Sequence, residues 1–358
     1  MLKSSILIPS LTLLISIPII FLLAPKILPT RQISISVSEE LEDLSLFQKA
    51  ISAETFSPKY PSRNKLKLGS TTVRPPKIAF LFLTNSDLKF SSLWEKFFNT
   101  TNGTHHSSHL YNIYIHADPF IKITPLSGVF KDRLIQAKRT QRSSPTLISA
   151  ERRLLAHALL DDPSNYYFAL ISQHCIPLHS FNYFYNFLLD TQKLSRKMEF
   201  PSYVEILDES DSLLKRYNAR GKGVMLPEVK FDEFKAGSQF FVLTRKHSLM
   251  VIKDRKLWRK FKKTCIDVQS CYPEEHYFPT LLSMEDPNGC TKYTLTSVDW
   301  TDMVDGHPHT YHQSEVSRQL IYDLRKSNSS YDYMFARKFS ADCLNPLMEI
   351  ADSVIFKD

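Results

Sequence analysis

Short runs that are almost wholly apolar alternate along this chain with stretches whose apolar positions return every three to four residues. Lys77-Ile-Ala-Phe-Leu-Phe-Leu-Thr84 is apolar nearly throughout, as expected of a strand buried on both faces. A mixed segment running to Phe98 reads as helix. A second strand, Tyr111-Asn-Ile-Tyr-Ile-His116, ends in Ala117-Asp118-Pro119. Thr146–Leu160 then carries Leu147, Ala150, Leu154 and Ala158 on one helical face. A third strand, Tyr166–Ser172, leads through His174 and Cys175 to Leu178, and a helix follows around Phe181–Leu189. This alternation predicts an α/β domain with a mainly parallel sheet flanked by helices. Ligands of such sheets gather at the carboxyl ends of the strands, here Thr84, His116, Asp118, Ser172 and His174.

The pattern differs ahead of this body. Residues 6–24 hold no charge and are dominated by Leu, Ile and Phe, enough to span a bilayer core of roughly 17–25 residues. They are read as an uncleaved transmembrane signal anchor after a cytosolic tail, residues 1–5. Residues 25–75 read as a stem, with one amphipathic helical piece over Glu39–Ala53. Residues 76–358 form one lumenal domain. Glycosylation triplets start at Asn99, Asn102 and Asn328, all after the span, which favours a type II orientation.

Composition narrows the chemistry. Lys and Arg exceed Asp and Glu by 45 to 37, a net charge of +8, and the basic residues are read as spread along the chain without a dense block. Nucleic acid is therefore not an expected partner, whereas an anionic small substrate suits the charge. Eight glycines leave no G-x-G-x-x-G and no P-loop, and there is no G-x-S-x-G or H-E-x-x-H. The five cysteines contain no C-x-x-C. Cys265 and Cys271 can close a small loop, and Cys175 reads as a buried free thiol.

That loop precedes Cys271-Tyr-Pro-Glu-Glu-His-Tyr-Phe-Pro279. Pro273 suits the first position of a helix, which puts Glu274 and Glu275 in its first turn, where a negative charge is favoured. Helical neighbours point about 100° apart, so at most one of the pair faces a substrate well.

Seven segments in order resemble the core-2/I-branching β-1,6-N-acetylglucosaminyltransferase-like family, most of all its plant membrane-bound branch. They are Tyr111–Asp118, Ala150–Leu155, Phe168–Leu178, Lys235–Phe241, Cys271–Thr280, Val298–Trp300 and Phe335–Phe339. The resemblance implies a GT-A-like, Rossmann-type fold and residence in the Golgi membrane. It also implies inverting, metal-independent transfer of GlcNAc from UDP-GlcNAc to a glycan or glycoprotein, with no cofactor beyond that substrate. Glu275 matches the family's base, Glu274 being left as the helix-start charge, and Lys338, with Arg337 beside it, matches the diphosphate clamp. Thr84, His116 and Asp118 fall on the donor side. Gly237, Ser238, Arg216, Tyr217 and Glu151 match acceptor-side positions.

Two departures stand out: Ser143-Ser144-Pro145-Thr146 replaces an aromatic and a glycine, and a second phosphate-binding arginine has no clean counterpart beyond Arg318 and Arg325. Two other readings stay open. One is a metal-dependent GT-A transferase with another donor and Asp118 as ligand; the other is an anchored carbohydrate-binding scaffold with a decayed site.

Overall fold

The computed structural model describes residues 16–17, 32–56, 75–99, 109–189, 200–208, 212–303, 306–329 and 331–358. The tail, nearly all of the 6–24 span and Asn102 lie outside these residues. No described helix is long and apolar enough to cross a membrane. Asn99 and Asn328 are both exposed, Asn99 at a helix end.

The main sheet has six strands: β1 (Lys77–Thr84), β2 (Tyr111–Ala117), β3 (Asn165–Ser172), β5 (Ser202–Glu205), β6 (Val242–Thr244) and β7 (Cys290–Lys292). They lie in the order β2-β1-β3-β6-β5-β7. β1 pairs in parallel with β2 and β3, and β5 with β7, while β6 is antiparallel to both its neighbours. So β6 alone is reversed, and its amino end lies toward the carboxyl end of β3. A second sheet, β4 (Ile176–Pro177), β9 (Phe335–Arg337) and β8 (Thr296–Val298), was not foreseen from the pattern, because its strands are two or three residues long. β4 follows directly from β3 and pairs with β9, which draws the chain's C-terminal part to the same edge.

β1 is buried along nearly its whole length. Phe80 and Phe82 pack edge-on against Trp94 of the Ser91–Asn99 helix, and Phe80 also meets Phe97, Phe98 and Phe181. The Pro145–Asp161 helix starts as its composition dictates, with Pro145 at the first position and the Ser144 hydroxyl accepting from Thr146 N.

The segment read as stem is folded in part. Val37–Phe56 is a helix longer than the Glu39–Ala53 piece, opened by a capping box in which Ser36 and Glu39 exchange hydrogen bonds of 2.8 and 3.2 Å. It lies against the Pro145–Asp161 helix. Phe47 is 2% exposed, a burial that contributes roughly 2 kcal/mol. Asp43 pairs with Arg153 at 2.5 Å and accepts from Ser149 at 2.9 Å. Glu54 reaches Arg245 at 2.6 Å and Glu40 reaches Lys262 at 2.7 Å. A linker makes no such contacts; this stretch is an outer layer of the domain.

The helix expected from Pro273 is also different. Pro273–Glu275 is a 3₁₀ turn, and the α-helix proper runs Tyr277–Glu285. Tyr272, just ahead, sits in the left-handed region at φ +39°, a strained entry for a bulky residue.

Candidate active site

The carboxyl ends of β1 and β3, the approach to β6 and the exit of β9 enclose a cleft of about 270 Å³. β1 contributes Thr84 and Asn85, β3 Ser172, Gln173 and His174, the approach to β6 Gln239 and Phe240, and the 3₁₀ turn Glu274 and Glu275. Arg337 and Lys338 arrive through the β4–β9 pairing, with Lys338 O accepting from Tyr311 N and His174 O from Phe339 N.

The two glutamates differ in environment. The side chain of Glu275 keeps 28% of its exposure, and its Oε2 accepts from Arg216 Nη1 at 2.6 Å. Its backbone carbonyl accepts from Gly237 N at 2.9 Å. Only glycine fits there, since an added Cβ would lie 2.0 Å from the Glu205 carbonyl oxygen. Arg216 is itself held by Ser212 Oγ at 3.1 Å and by the face of Tyr272.

Glu274 is not the solvated helix-start charge that its position suggested. It is 4% exposed and accepts from Ser143 N at 3.1 Å. Burial, and then the charge of Glu275, pushes its carboxyl up to about 8, so it is neutral at physiological pH. Ser143 reaches it from the left-handed region at φ +57°, at the departure noted before the Pro145–Asp161 helix.

The same cleft is lined by cations. Lys338 Nζ lies 3.0 Å from His307 Nδ1. Burial, then the charges of Arg337 and Arg142, lowers its ammonium to about 8. Arg337 stacks over Phe240 at 4.4 Å. Arg142 contacts His307 Nε2 and donates to Gly306 O at 2.8 Å. Trp300, half exposed, lines the same space.

Of the other expected residues Thr84 lines the cleft, and the rest lie off its surface. Asp118 accepts from Phe120 N at 2.9 Å and from Thr140 N and Oγ1 at 2.8 and 2.9 Å, which fixes Thr140, a lining residue. His116 is fully buried and accepts from Lys138 N at 3.2 Å, and burial lowers its ring to about 4. Thr84 Oγ1 donates to Ser86 O and closes the turn after β1. Fully buried Glu151 accepts from Gln239 at 2.6 Å and so aims a lining amide. Tyr217 is buried and donates to Val229 O at 2.7 Å. Ser238 Oγ accepts from Phe240 N. Arg325 holds the carbonyls of Leu178, Val354 and Ile355, and Arg318 reaches Ser353, so neither lines the cleft. Cys265 and Cys271 are joined as a disulfide, and Cys265 N donates to Gln32 of the segment ahead of the first helix. Cys175, Cys290 and Cys343 are free, the first and last of them buried. Among the described residues no cluster of three or more His, Cys, Asp or Glu could hold a metal.

A carboxylate that shares one small cleft with three cations and two histidines suits a proton acceptor beside an anion site. Sequence comparison agrees on the class. The model of the Core-2/I-Branching enzyme family matches residues 78–325.

The chain belongs to the Core-2/I-Branching enzyme family.

It is also similar to Glycosyltransferase BC10 of Oryza sativa subsp. japonica, 28% identical over 287 residues, 71% of this chain and 67% of that protein. This Core-2/I-Branching enzyme is thus a glycosyltransferase. Its matched region holds Glu274, Glu275, Arg142 and His307, whereas Lys338 lies beyond it. Reading the sequence missed Arg142, His307 and the burial of Glu274. A signal was available for Arg142, since it abuts the very segment that departs from the plant pattern.

Proposed function

We propose that this GT-A-like transferase inverts the anomeric centre of a nucleotide sugar, UDP-GlcNAc being the first donor to test. The acceptor is a glycan or glycoprotein hydroxyl, and transfer is metal-independent. The observation that carries this is one small cleft lined by Glu275 together with Arg142, Arg337 and Lys338. In one displacement, the acceptor oxygen bonds the anomeric carbon and its proton passes to Glu275. The bond to the diphosphate breaks at the same time, and its electron pair leaves with the nucleotide. Arg216 holds Oε2, so Oε1 is the oxygen offered to the hydroxyl. The cations meet the charge that builds on the departing diphosphate, a role a divalent ion plays elsewhere. Trp300 offers an apolar face to a sugar ring. Residence in the Golgi lumen behind the 6–24 anchor completes the reading.

The test is nucleotide release from a panel of nucleotide sugars with glycan acceptors, with and without EDTA. Release with UDP-GlcNAc that EDTA leaves unchanged supports the proposal. Release abolished by EDTA excludes the metal-independent form, and donor binding without turnover supports a decayed site.

Activity is also expected to fall above about pH 8. There Glu274 loses its proton and adds negative charge beside Glu275, while Lys338 loses its positive charge. Both changes weaken the hold on the diphosphate. A pH–rate profile of Glu274→Gln should keep only the Lys338 limb, and Lys338→Arg should keep only the Glu274 limb. Profiles of both variants that coincide with the parent's would reject the assignment.

A further inference from the structure

The expectation that basic residues are evenly spread fails at one place. Lys253-Asp-Arg-Lys-Leu-Trp-Arg-Lys-Phe-Lys-Lys263 holds seven basic residues and one acid, a net charge of +6 in a chain whose total is +8. Asp254 does not offset it outwardly, because its carboxylate accepts from Leu257 N, Trp258 N and Tyr277 OH at 2.9 to 3.0 Å. Arg259 and Lys260 share Glu228, and Lys262 pairs with Glu40. Lys253, Arg255, Lys256 and Lys263 are exposed, and no described ion pair reaches them.

Beside this segment lies a second groove, of about 600 Å³. Lys246, Lys253, Arg255 and Lys256 line it together with Leu249, Met250 and Leu281 and with two acids, Asp254 and Glu285. Lys246 is paired with Asp286 at 2.6 Å and Asp254 is turned to its three donors, which leaves Lys253, Arg255 and Lys256 against Glu285 over an aliphatic floor. The groove borders the Tyr277–Glu285 helix, which begins two residues after Glu275. Leu281 stands only about 6 Å along that helix from its first residue.

We propose that this groove binds an acidic stretch of glycan, its carboxylates or sulfates paired with Lys253, Arg255 and Lys256 and the apolar faces of its rings on Leu249, Met250 and Leu281. The proposal rests on the glycosyltransferase reading only for the choice of a sugar polymer. Charge and shape argue against the other polyanions. A single-stranded nucleic acid stacks its bases on aromatic rings, and no aromatic lines the groove. A membrane-seeking surface presents large apolar side chains, yet Leu257, Trp258 and Phe261 of this segment are all buried.

The full chain is to be titrated, without donor, with an oligomer of galacturonic acid and with a neutral dextran fragment. Binding of the acidic oligomer alone, weakened by added salt, is the expected result. The triple variant Lys253→Glu, Arg255→Glu, Lys256→Glu should bind about 100-fold more weakly. The neutral Gln triple, checked by thermal unfolding, should fall in between. Reversing Lys122, Lys131 and Lys357 makes the same change in net charge on other surfaces and should alter affinity less than about threefold. Equal losses in the two reversed triples would reduce the effect to net charge and overturn the proposal. So would anionic vesicles that hold the protein against excess oligomer. The measurement contains no donor, so it can fail while transfer activity stands.

Discussion

Glu275→Gln is expected to lower kcat by about 10²–10⁴-fold with donor affinity nearly unchanged. The amide has the size of the carboxylate and can still lie beside Arg216, so the fold and the cationic wall are kept. What it lacks is the ability to take the acceptor's proton. Arg216 makes the case sharper: it holds Oε2 at 2.6 Å, so the proton goes to the oxygen that Arg216 leaves open. Arg216→Ala should therefore change the acceptor KM and the pH profile and cost less in rate than Glu275→Gln. Single-turnover transfer and isothermal titration with UDP separate chemistry from binding. A Gln variant that transfers at the parent's rate would remove Glu275 from the mechanism.

The second large effect is expected of Lys338→Ala, a loss of about 10²–10³-fold in kcat/KM with weaker UDP binding. The lysine is held at the cleft by backbone pairing, since its carbonyl accepts from Tyr311 N and the residue after it donates to His174 O. Burial and two neighbouring cations already strain its charge, and a bound diphosphate relieves all three at once. Lys338→Arg should recover part of the rate. Arg142→Ala should give a smaller loss in the same direction, because Arg142 is exposed and acts beside His307. Product inhibition by UDP is the readout: a Lys338→Ala enzyme inhibited as strongly as the parent would show that the lysine does not touch the diphosphate.

Much of this was legible along the chain, and the residues that were not share a cause. β1, β2 and β3 could be read because long apolar runs are local signals, and the Pro145–Asp161 helix because its start and its periodicity agree. The stem could not. Its helix carries ordinary polarity, and only its fit against Arg153, Arg245 and Lys262 shows that it belongs to the domain. Asp118 and His116 stood at strand ends, as the ligand-edge rule requires, yet their side chains turn to backbone amides beside them. Strand-end position follows from sequence; the direction of a side chain depends on which neighbour has an unmet hydrogen bond.

The glutamate pair divides the two kinds of information most clearly. Sequence alone determined that two carboxyls follow Pro273, that a cationic Arg337-Lys338 closes an apolar run, and that the motifs stand in the order of one glycosyltransferase family. These are properties of local pattern, and they survive without coordinates. Only the tertiary structure decided which glutamate is buried. A 3₁₀ turn in place of the expected helix sends Glu274 under the left-handed Ser143 and Glu275 toward Arg216, partners 131 and 59 residues away. The β4–β9 pairing brings Arg337 and Lys338 into the same cleft. A carboxyl's ionisation depends on burial and on charges close in space, and those are set by chain segments far apart in sequence.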